Sequence, residues 1–183
     1  MLIPALRRNV TGTLTTGNKY LSCPLDFLSA LSLAVIDGGG NYEYLLNKDV
    51  NFIRAAYPNP TDQALPQYYA LFGPTVASGV ISKELSFILG PTPDDDYGVE
   101  LHYYYYPESI VTAGSTWLSE NYSPVLLYGT LVEAYLFMKG EADMLAVYQQ
   151  KYQEAVGQLI RLGGALERGD TYRDGQFKIK AAP

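Results

Sequence analysis

The spacing of apolar residues changes character near residue 110. Before that point they alternate or come in short runs broken by glycine and proline, and beyond it they recur every three or four positions. In the first part, Gly12–Thr16 and Leu31–Ile36 are β-prone, and Asp37-Gly38-Gly39-Gly40 is a strong turn that joins Leu31–Ile36 to Tyr42–Leu46 as a hairpin. Pro24-Leu25-Asp26-Phe27-Leu28 reads as a turn or a single helical turn, because Pro24 fixes φ at its start. Residues 57–66 (YPNPTDQALP) hold three prolines and read as a surface loop, followed by a strand over Tyr68–Phe72 that Gly73-Pro74 closes. Leu85, Phe87 and Leu89 alternate onto one face, as do Val99, Leu101, Tyr103 and Tyr105, which predicts a hairpin over Lys83–Tyr106 around the breaker segment Gly90–Gly98. The opposite face of its second strand carries Glu100, His102, Tyr104 and Tyr106, and is expected to be wet or to meet a partner.

The last third is helical. Ser123 suits an N-cap, and Pro124 suits the first helical position, where its missing N–H costs nothing. Val125–Met138 is apolar nearly all round with Glu133 its one charge, so the helix is expected to be buried on most sides. Glu133 is then a costly carboxylate in need of an arginine, a tyrosine hydroxyl or a neighbouring subunit. Gly140 ends this helix. A second one from Glu141 carries a single stripe at Leu145, Tyr148, Tyr152, Ala155, Leu159, Leu162 and Leu166, the partner face of an αα-hairpin whose last turn Gly163-Gly164 weakens. From Gly169 the pattern changes again. Phe177 and Ile179 alternate with Lys178 and Lys180, a short strand with nothing after it, which reads either as an arm that docks on something or as simple disorder. The expected fold class is α+β. Antiparallel hairpins or a small β-sandwich cover roughly residues 10–107 and a helical hairpin roughly 117–166, in one domain over 1–168, with an extended C-terminal arm at 169–183.

Composition narrows the classes. A chain of 183 residues hides enough surface for one proper core. A hydrophobic share of 48% with 17% charged residues excludes a disordered chain, and a mean hydropathy of -0.05 with no long apolar run excludes a membrane protein. The opening Met1–Pro4 is too short for a signal peptide, and Arg7 and Arg8 follow it rather than precede it. Cys23 is the single cysteine, so no internal disulfide forms. Tyrosine supplies 17 of the 24 aromatics, which suits surfaces that are both wet and sticky, although half-buried strand and helix positions use it equally well. Charge is uneven. Residues 84–154 hold eleven acidic groups against Lys139 and Lys151, the opposite of what a phosphate-binding surface needs.

Candidate chemistry is sparse. His102 and Cys23 lie in different segments, so a nucleophile pair has no sequence support. Glu100 and His102 share one strand face, but two ligands do not make a metal site. Asp94-Asp95-Asp96 lacks the alternate spacing of a calcium loop and reads as a turn, and Gly38-Gly39-Gly40 has no following Lys-Ser or Lys-Thr to cradle phosphate. No catalytic residue, metal site or cofactor is expected.

Several segments in order carry a further signal. They are Pro24-Leu25-Asp26-Phe27-Leu28; Leu65-Pro66-Gln67-Tyr68-Tyr69-Ala70; Gly90-Pro91-Thr92-Pro93 followed by Val99–Pro107; and Trp117-Leu118-Ser119-Glu120-Asn121-Tyr122-Ser123-Pro124-Val125-Leu126-Leu127-Tyr128-Gly129, running on through Glu133-Ala134 to Tyr148 and Tyr152-Gln153-Glu154-Ala155. Together they cover most of residues 20–160, and in order and spacing the chain resembles the head-to-tail adaptor (connector) proteins of tailed bacteriophages. It departs from them in two places. Family members often begin with a helical segment, whereas this chain starts almost at Arg7-Arg8, which leaves open how the N-terminal region meets neighbouring subunits. Ser123-Pro124 stands where proline followed by an acidic residue is common, which changes only a helix cap.

The resemblance implies a structural virion protein at the head-tail interface. It would form a ring of about twelve copies under the portal protein, presenting a platform to tail proteins (nozzle, tube or stopper), with double-stranded DNA passing through without specific binding and no membrane involved. It implies a portal-binding arm, here Tyr172, Arg173, Phe177, Lys178, Ile179 and Lys180, and the acidic balance adds Glu141 and Asp143 as channel-facing candidates. Tyr104, Tyr106, Asp94, Asp95 and Asp96 are candidates for tail or subunit contact. A stopper or tail completion role is the nearest alternative. A β-sandwich carbohydrate-binding module is a second, and it leaves the helical hairpin unexplained.

Overall fold

Alternating residues in the first hundred positions build two sheets that face each other across one apolar interior. The computed structural model describes residues 4–77 and 80–166. After a short 3-10 turn at Pro4–Leu6 come strands β1 (Arg7–Thr13), β2 (Tyr20–Ser22), β3 (Phe27–Ile36), β4 (Tyr42–Tyr44), β5 (Leu46–Asn47), helix α1 (Val50–Ala56), and strands β6 (Tyr68–Ala77), β7 (Val80–Gly90) and β8 (Gly98–Tyr105). Among the described residues one sheet has the order β1-β8-β3-β4 and the other β2-β7-β6-β5. Among the described strands all pairings are antiparallel except β5 with β6. Leu33, Val35, Val99, Leu101 and Tyr103 of the first sheet meet Tyr69, Phe87 and Leu89 of the second, with Leu14, Cys23 and Leu45 closing the ends. The α+β class and the small sandwich expected from the sequence are what the chain forms.

The Asp37 turn closes β3 onto β4 as expected. Asp37 Oδ1 accepts from the backbone N–H of Gly39 and of Asn41 at 2.8 Å each, and Gly40 takes φ 82°, a conformation that favours glycine. Leu25 and Asp26 form the expected turn, with Phe27 N–H donating to the Pro24 carbonyl at 3.0 Å.

The hairpin predicted over Lys83–Tyr106 does not form. β7 pairs with β2 and β6, while β8 pairs with β1 and β3 in the other sheet. Gly90–Gly98 instead carries the chain from sheet to sheet, tied down by Gly17 N–H to the Pro93 carbonyl at 2.9 Å and by Leu14 N–H to the Tyr97 carbonyl at 2.8 Å. The alternation of both strands is nonetheless correct, because each turns its apolar set to the shared interior. A period of two reports which face is buried and is silent on which strand lies alongside.

Two further readings change. β6 does not stop at Gly73-Pro74 but runs through it to Ala77, with register shifts between Leu71 and Gly73 and between Pro74 and Val76. A bulge tolerates a proline and a glycine at φ 98° that a regular strand interior does not. Helix α1 has no counterpart in the strand-and-turn reading of the first ninety residues. Asp49 caps it by accepting from Asn51 N–H at 2.7 Å, and Ile53 packs with Ala70 and Ile88 on the outer face of the second sheet. A Cβ on Gly90 would come within 2.8 Å of Tyr57 and 2.9 Å of Ile53, so glycine is what lets α1 lie against β7.

Residues 6–107 form one compact unit, and 108–166, with 4–5, belong to a second. The second holds α2 (Ile110–Ala113), α3 (Trp117–Asn121), α4 (Ser123–Phe137) and α5 (Ala142–Leu166). Thr116 and Ser119 form a reciprocal capping box on α3. Ser123 is the first residue of α4 rather than its cap; Tyr122 holds the cap position without a side-chain bond, and Pro124 fills the first turn. The helix stops where Lys139 takes φ 53° and Gly140 N–H donates to the Tyr135 carbonyl at 2.9 Å. α4 and α5 pack as the expected αα-hairpin. The Tyr135 and Tyr148 rings meet edge to face with centroids 5.1 Å apart, Gly129 lies against Tyr152, and the Tyr122 hydroxyl is hydrogen-bonded to Gln158. α5 continues through Gly163-Gly164 to Leu166, with Gly163 buried.

Candidate functional site

The tyrosine-rich strand is mainly an interior element. Tyr103 is buried, and its hydroxyl donates to Asp26 Oδ1 at 2.9 Å; burial first, and then the Asp26 carboxylate, push the phenol's pKa up. The other Asp26 oxygen accepts from Arg8 at 2.7 Å, and the Arg8 guanidinium sits 3.8 Å from the Tyr105 ring centroid. This chain of contacts pins β1, the β2–β3 turn and β8 together. Tyr104, a candidate contact residue on the strand's outer face, is 3% exposed and its hydroxyl accepts from Arg7 at 2.8 Å, so it is occupied inside the fold rather than offered to a partner. Tyr69 of the Tyr68–Tyr69 pair is likewise buried. Tyr106 is different: it is 69% exposed.

The acidic candidates are exposed but engaged. Asp96 Oδ1 accepts from the Thr16 backbone N–H at 2.8 Å and from its hydroxyl at 2.9 Å, Asp95 accepts from Asp96 N–H, and Asp94 accepts from the Tyr97 hydroxyl. The Thr16 bonds hold the Asp96 carboxyl below its usual 3.8. These carboxylates therefore anchor the sheet-to-sheet crossing as well as facing solvent. Glu141 and Asp143 are exposed where α5 begins, and a carboxylate there also complements the positive end of the helix dipole. Tyr172, Arg173, Phe177, Lys178, Ile179 and Lys180 lie outside the described residues.

Among the described residues no group of three or more histidine, cysteine, aspartate and glutamate side chains is placed to hold a metal. His102 is half-buried in β8, and Cys23 is buried on the way from β2 to β3, its thiol pushed up to about 12 by desolvation.

The feature the sequence pointed to and misread is α4. An apolar helix was expected to be buried on most sides, yet among its described residues Val125 alone is buried. Tyr128, Val132 and Tyr135 share Val125's side of the helix and are half-buried. Leu127, Thr130, Ala134, Phe137 and Met138 form the opposite stripe, with Leu127 55%, Met138 64% and Phe137 89% exposed. Glu133 borders that stripe and is exposed, so it carries no desolvation cost within one copy. On α5, Val147 and Ile160 are also uncovered. Exposed apolar side chains grouped in this way are the kind of surface that protein contacts use.

The chain thus joins a β-sandwich unit to a helical unit whose α4 carries exposed apolar residues. The model of the SU10 adaptor protein family matches residues 3–176, and the chain belongs to that family. It is thus a bacteriophage structural adaptor, a virion component of the head-tail junction. No curated protein matches the chain. Among the described residues no helix is long and apolar enough to cross a membrane.

Proposed function

We propose that the protein assembles as a ring of about twelve copies that joins the portal protein to the tail and continues the DNA channel, closed rings being the usual outcome of one repeated heterologous contact. The observation that carries this reading is the α4 stripe Leu127–Thr130–Ala134–Phe137, exposed and apolar except for the Thr130 hydroxyl, which is bonded to the helix's own carbonyls. In a ring it would face a neighbouring copy, where its burial drives association instead of folding. The arm 169–183 serves as the anchor on the portal, and Tyr106 with Asp94–Asp96 would face the tail or the next subunit. Glu141 and Asp143 would line the lumen, where like charge keeps DNA sliding rather than bound.

Sedimentation of the purified chain with and without the portal ring of the same phage tests the role. Co-sedimentation that disappears when residues 169–183 are deleted supports both the role and the anchor. Binding that survives the deletion keeps the role and moves the anchor to the helical hairpin, and absence of binding refutes the adaptor position under the portal. Replacing Glu141 and Asp143 with lysine is expected to slow genome ejection; unchanged ejection would count against a lumenal position for them.

A further inference from the structure

Gly157 stands in the interior of α5, a helix of 25 residues, where glycine folds about two- to fivefold less favourably than alanine. Among the described residues its own copy gives no steric reason for it. A Cβ built there meets no side chain, and no backbone beyond its own turns of helix, within 4 Å. Gly129 on α4 is different: a Cβ there would come within 3.3 Å of Tyr152, so the packing of the hairpin explains that glycine. Gly157 belongs to a stripe of α5 that also holds Ala142, Ala146, Gln149, Gln153 and Ile160, turned away from the buried Ala155 and Leu159. Apart from the half-buried Gly157 the stripe is exposed, and it carries no charge, although Asp143, Lys151, Glu154 and Arg161 lie on the same helix. The centres of protein contacts are depleted of charge in this way.

The α4 stripe Leu127–Thr130–Ala134–Phe137 has the complementary relief. Within one copy the two helices pass antiparallel, with Tyr135 opposite Tyr148, Gly129 opposite Tyr152 and Tyr122 bonded to Gln158. At the same levels on the far side of α5, Phe137 comes opposite Ala146, Ala134 opposite Gln149, Thr130 opposite Gln153 and Leu127 opposite Gly157. Large side chains then face small ones at both ends, and short ones face long ones between. The spacing agrees, since Leu127 and Phe137 are separated by about 15 Å of helix and Ala146 and Gly157 by about 16.5 Å. In a ring of about twelve, each copy is turned about 30° from the next, which leaves the neighbour's α4 nearly parallel to this copy's α4 and so antiparallel to its α5. Two α4 stripes do not face each other in such a ring, because that contact needs a half turn and closes at two copies.

We propose that the α4 stripe of one copy seats on this uncharged stripe of the next copy's α5, with Leu127 over Gly157 and Phe137 over Ala146. The contact continues the α4–α5 packing of the hairpin, so that α5 is held on one side by its own α4 and on the other by a neighbour's. Glycine and alanine let the helices approach closely enough to cover both large side chains. The stems of Gln149 and Gln153 lie beside Ala134 and Thr130, and the Thr130 oxygen accepts from the Gln153 amide. This rests on the ring reading and names the surface that the stripe meets there.

Gly157 gives a test in which stability and association move in opposite directions. In the full chain, Gly157→Ala is expected to raise the folding equilibrium constant by about two- to fivefold in urea unfolding. Gly157→Leu is expected to fold as wild type does and to weaken association by at least about tenfold. Association is read by sedimentation velocity over a concentration series, alone and with the portal ring of the same phage. Under mild oxidation Leu127→Cys/Gly157→Cys, with the buried Cys23 retained, should give a ladder of disulfide-linked trimers and larger multimers, because each copy carries both halves of the contact. Either single variant should stay at monomer or dimer mass. If Gly157→Leu lowers the unfolding midpoint, the ladder decides. Products that stop at two copies in Ala134→Cys alone would show two α4 stripes face to face and overturn the proposal. So would Gly157→Leu that folds and assembles like wild type, or a double variant without a ladder where wild type assembles. Should wild type form no multimers with or without the portal, the ring reading falls and this partner with it. Should Phe137→Ser weaken assembly while Gly157→Leu does not, the ring stands and this partner alone is refuted.

Discussion

Replacing Phe137 with serine separates the folding of one copy from the association of several. At 89% exposure the ring buries only about a tenth of its surface within the copy. Full burial of a phenylalanine stabilises by about 1.5–3 kcal/mol, so the loss to the isolated fold is about 0.2–0.3 kcal/mol. The remaining nine-tenths is available to an interface. If Phe137 is fully covered there, each contact weakens by about 1.3–2.7 kcal/mol, a factor of about 10 to 100 in the association constant. Urea unfolding of the dilute protein should superimpose on wild type, while sedimentation velocity over a concentration series should shift toward free subunits. A loss above about 1 kcal/mol in the unfolding curve would show that the side chain packs within its own copy. Unchanged association would remove the outer face of α4 from the interface and, with it, the main support for the ring.

The interior should respond in the opposite way. Phe87 is 1% exposed and meets Phe27 and Tyr69 edge to face at 5.4 and 5.5 Å, so Phe87→Ala is expected to cost about 3–5 kcal/mol in urea unfolding. Asp96 and Asp37 titrate lower in the folded protein than their ordinary 3.8. Their stabilising effect is therefore complete well above pH 4 and fades as the pH falls through 3.8 and below; Asp96→Asn should flatten the acid limb of a stability-against-pH curve and leave it nearly parallel to wild type from pH 6 to 8. With the Cys23 thiol at about 12 instead of 9.0, a disulfide reagent at pH 8 finds about a thousandfold less thiolate than on a free cysteine. Labelling should therefore track unfolding, and rapid labelling of the native protein would contradict the buried position of Cys23.

How far the sequence was legible varies by element. The Asp37 turn, the loop over 57–66 and the helical hairpin were readable because each rests on contacts a few residues apart: an Asx-type turn, prolines, and the three-and-four stripe from Leu145 to Leu166. Helix α1 was not readable, since a seven-residue segment has too few positions to display a period and is held chiefly by Ile53 against Ala70 and Ile88. The candidate contact residues divided in the same manner. Tyr106 is available at the surface, while Tyr104 lies under Arg7, whose strand joins β8 from more than ninety residues away in the chain.

What the sequence by itself determined is which side chains are apolar, at what period, and where the backbone must turn, because propensity, proline geometry and local capping act within one or two turns of chain. It thereby specified the α+β class, the inward faces of β7 and β8 and the existence of α4 and α5. The tertiary structure decided the pairing, placing β7 and β8 in opposite sheets, because the same alternation satisfies an interior reached from either side. It also decided that the apolar residues of α4 divide into a packed face and an uncovered one. Hydrophobicity records that a side chain gains by leaving water, and only the arrangement of the whole chain shows whether its own fold or another molecule removes it from water.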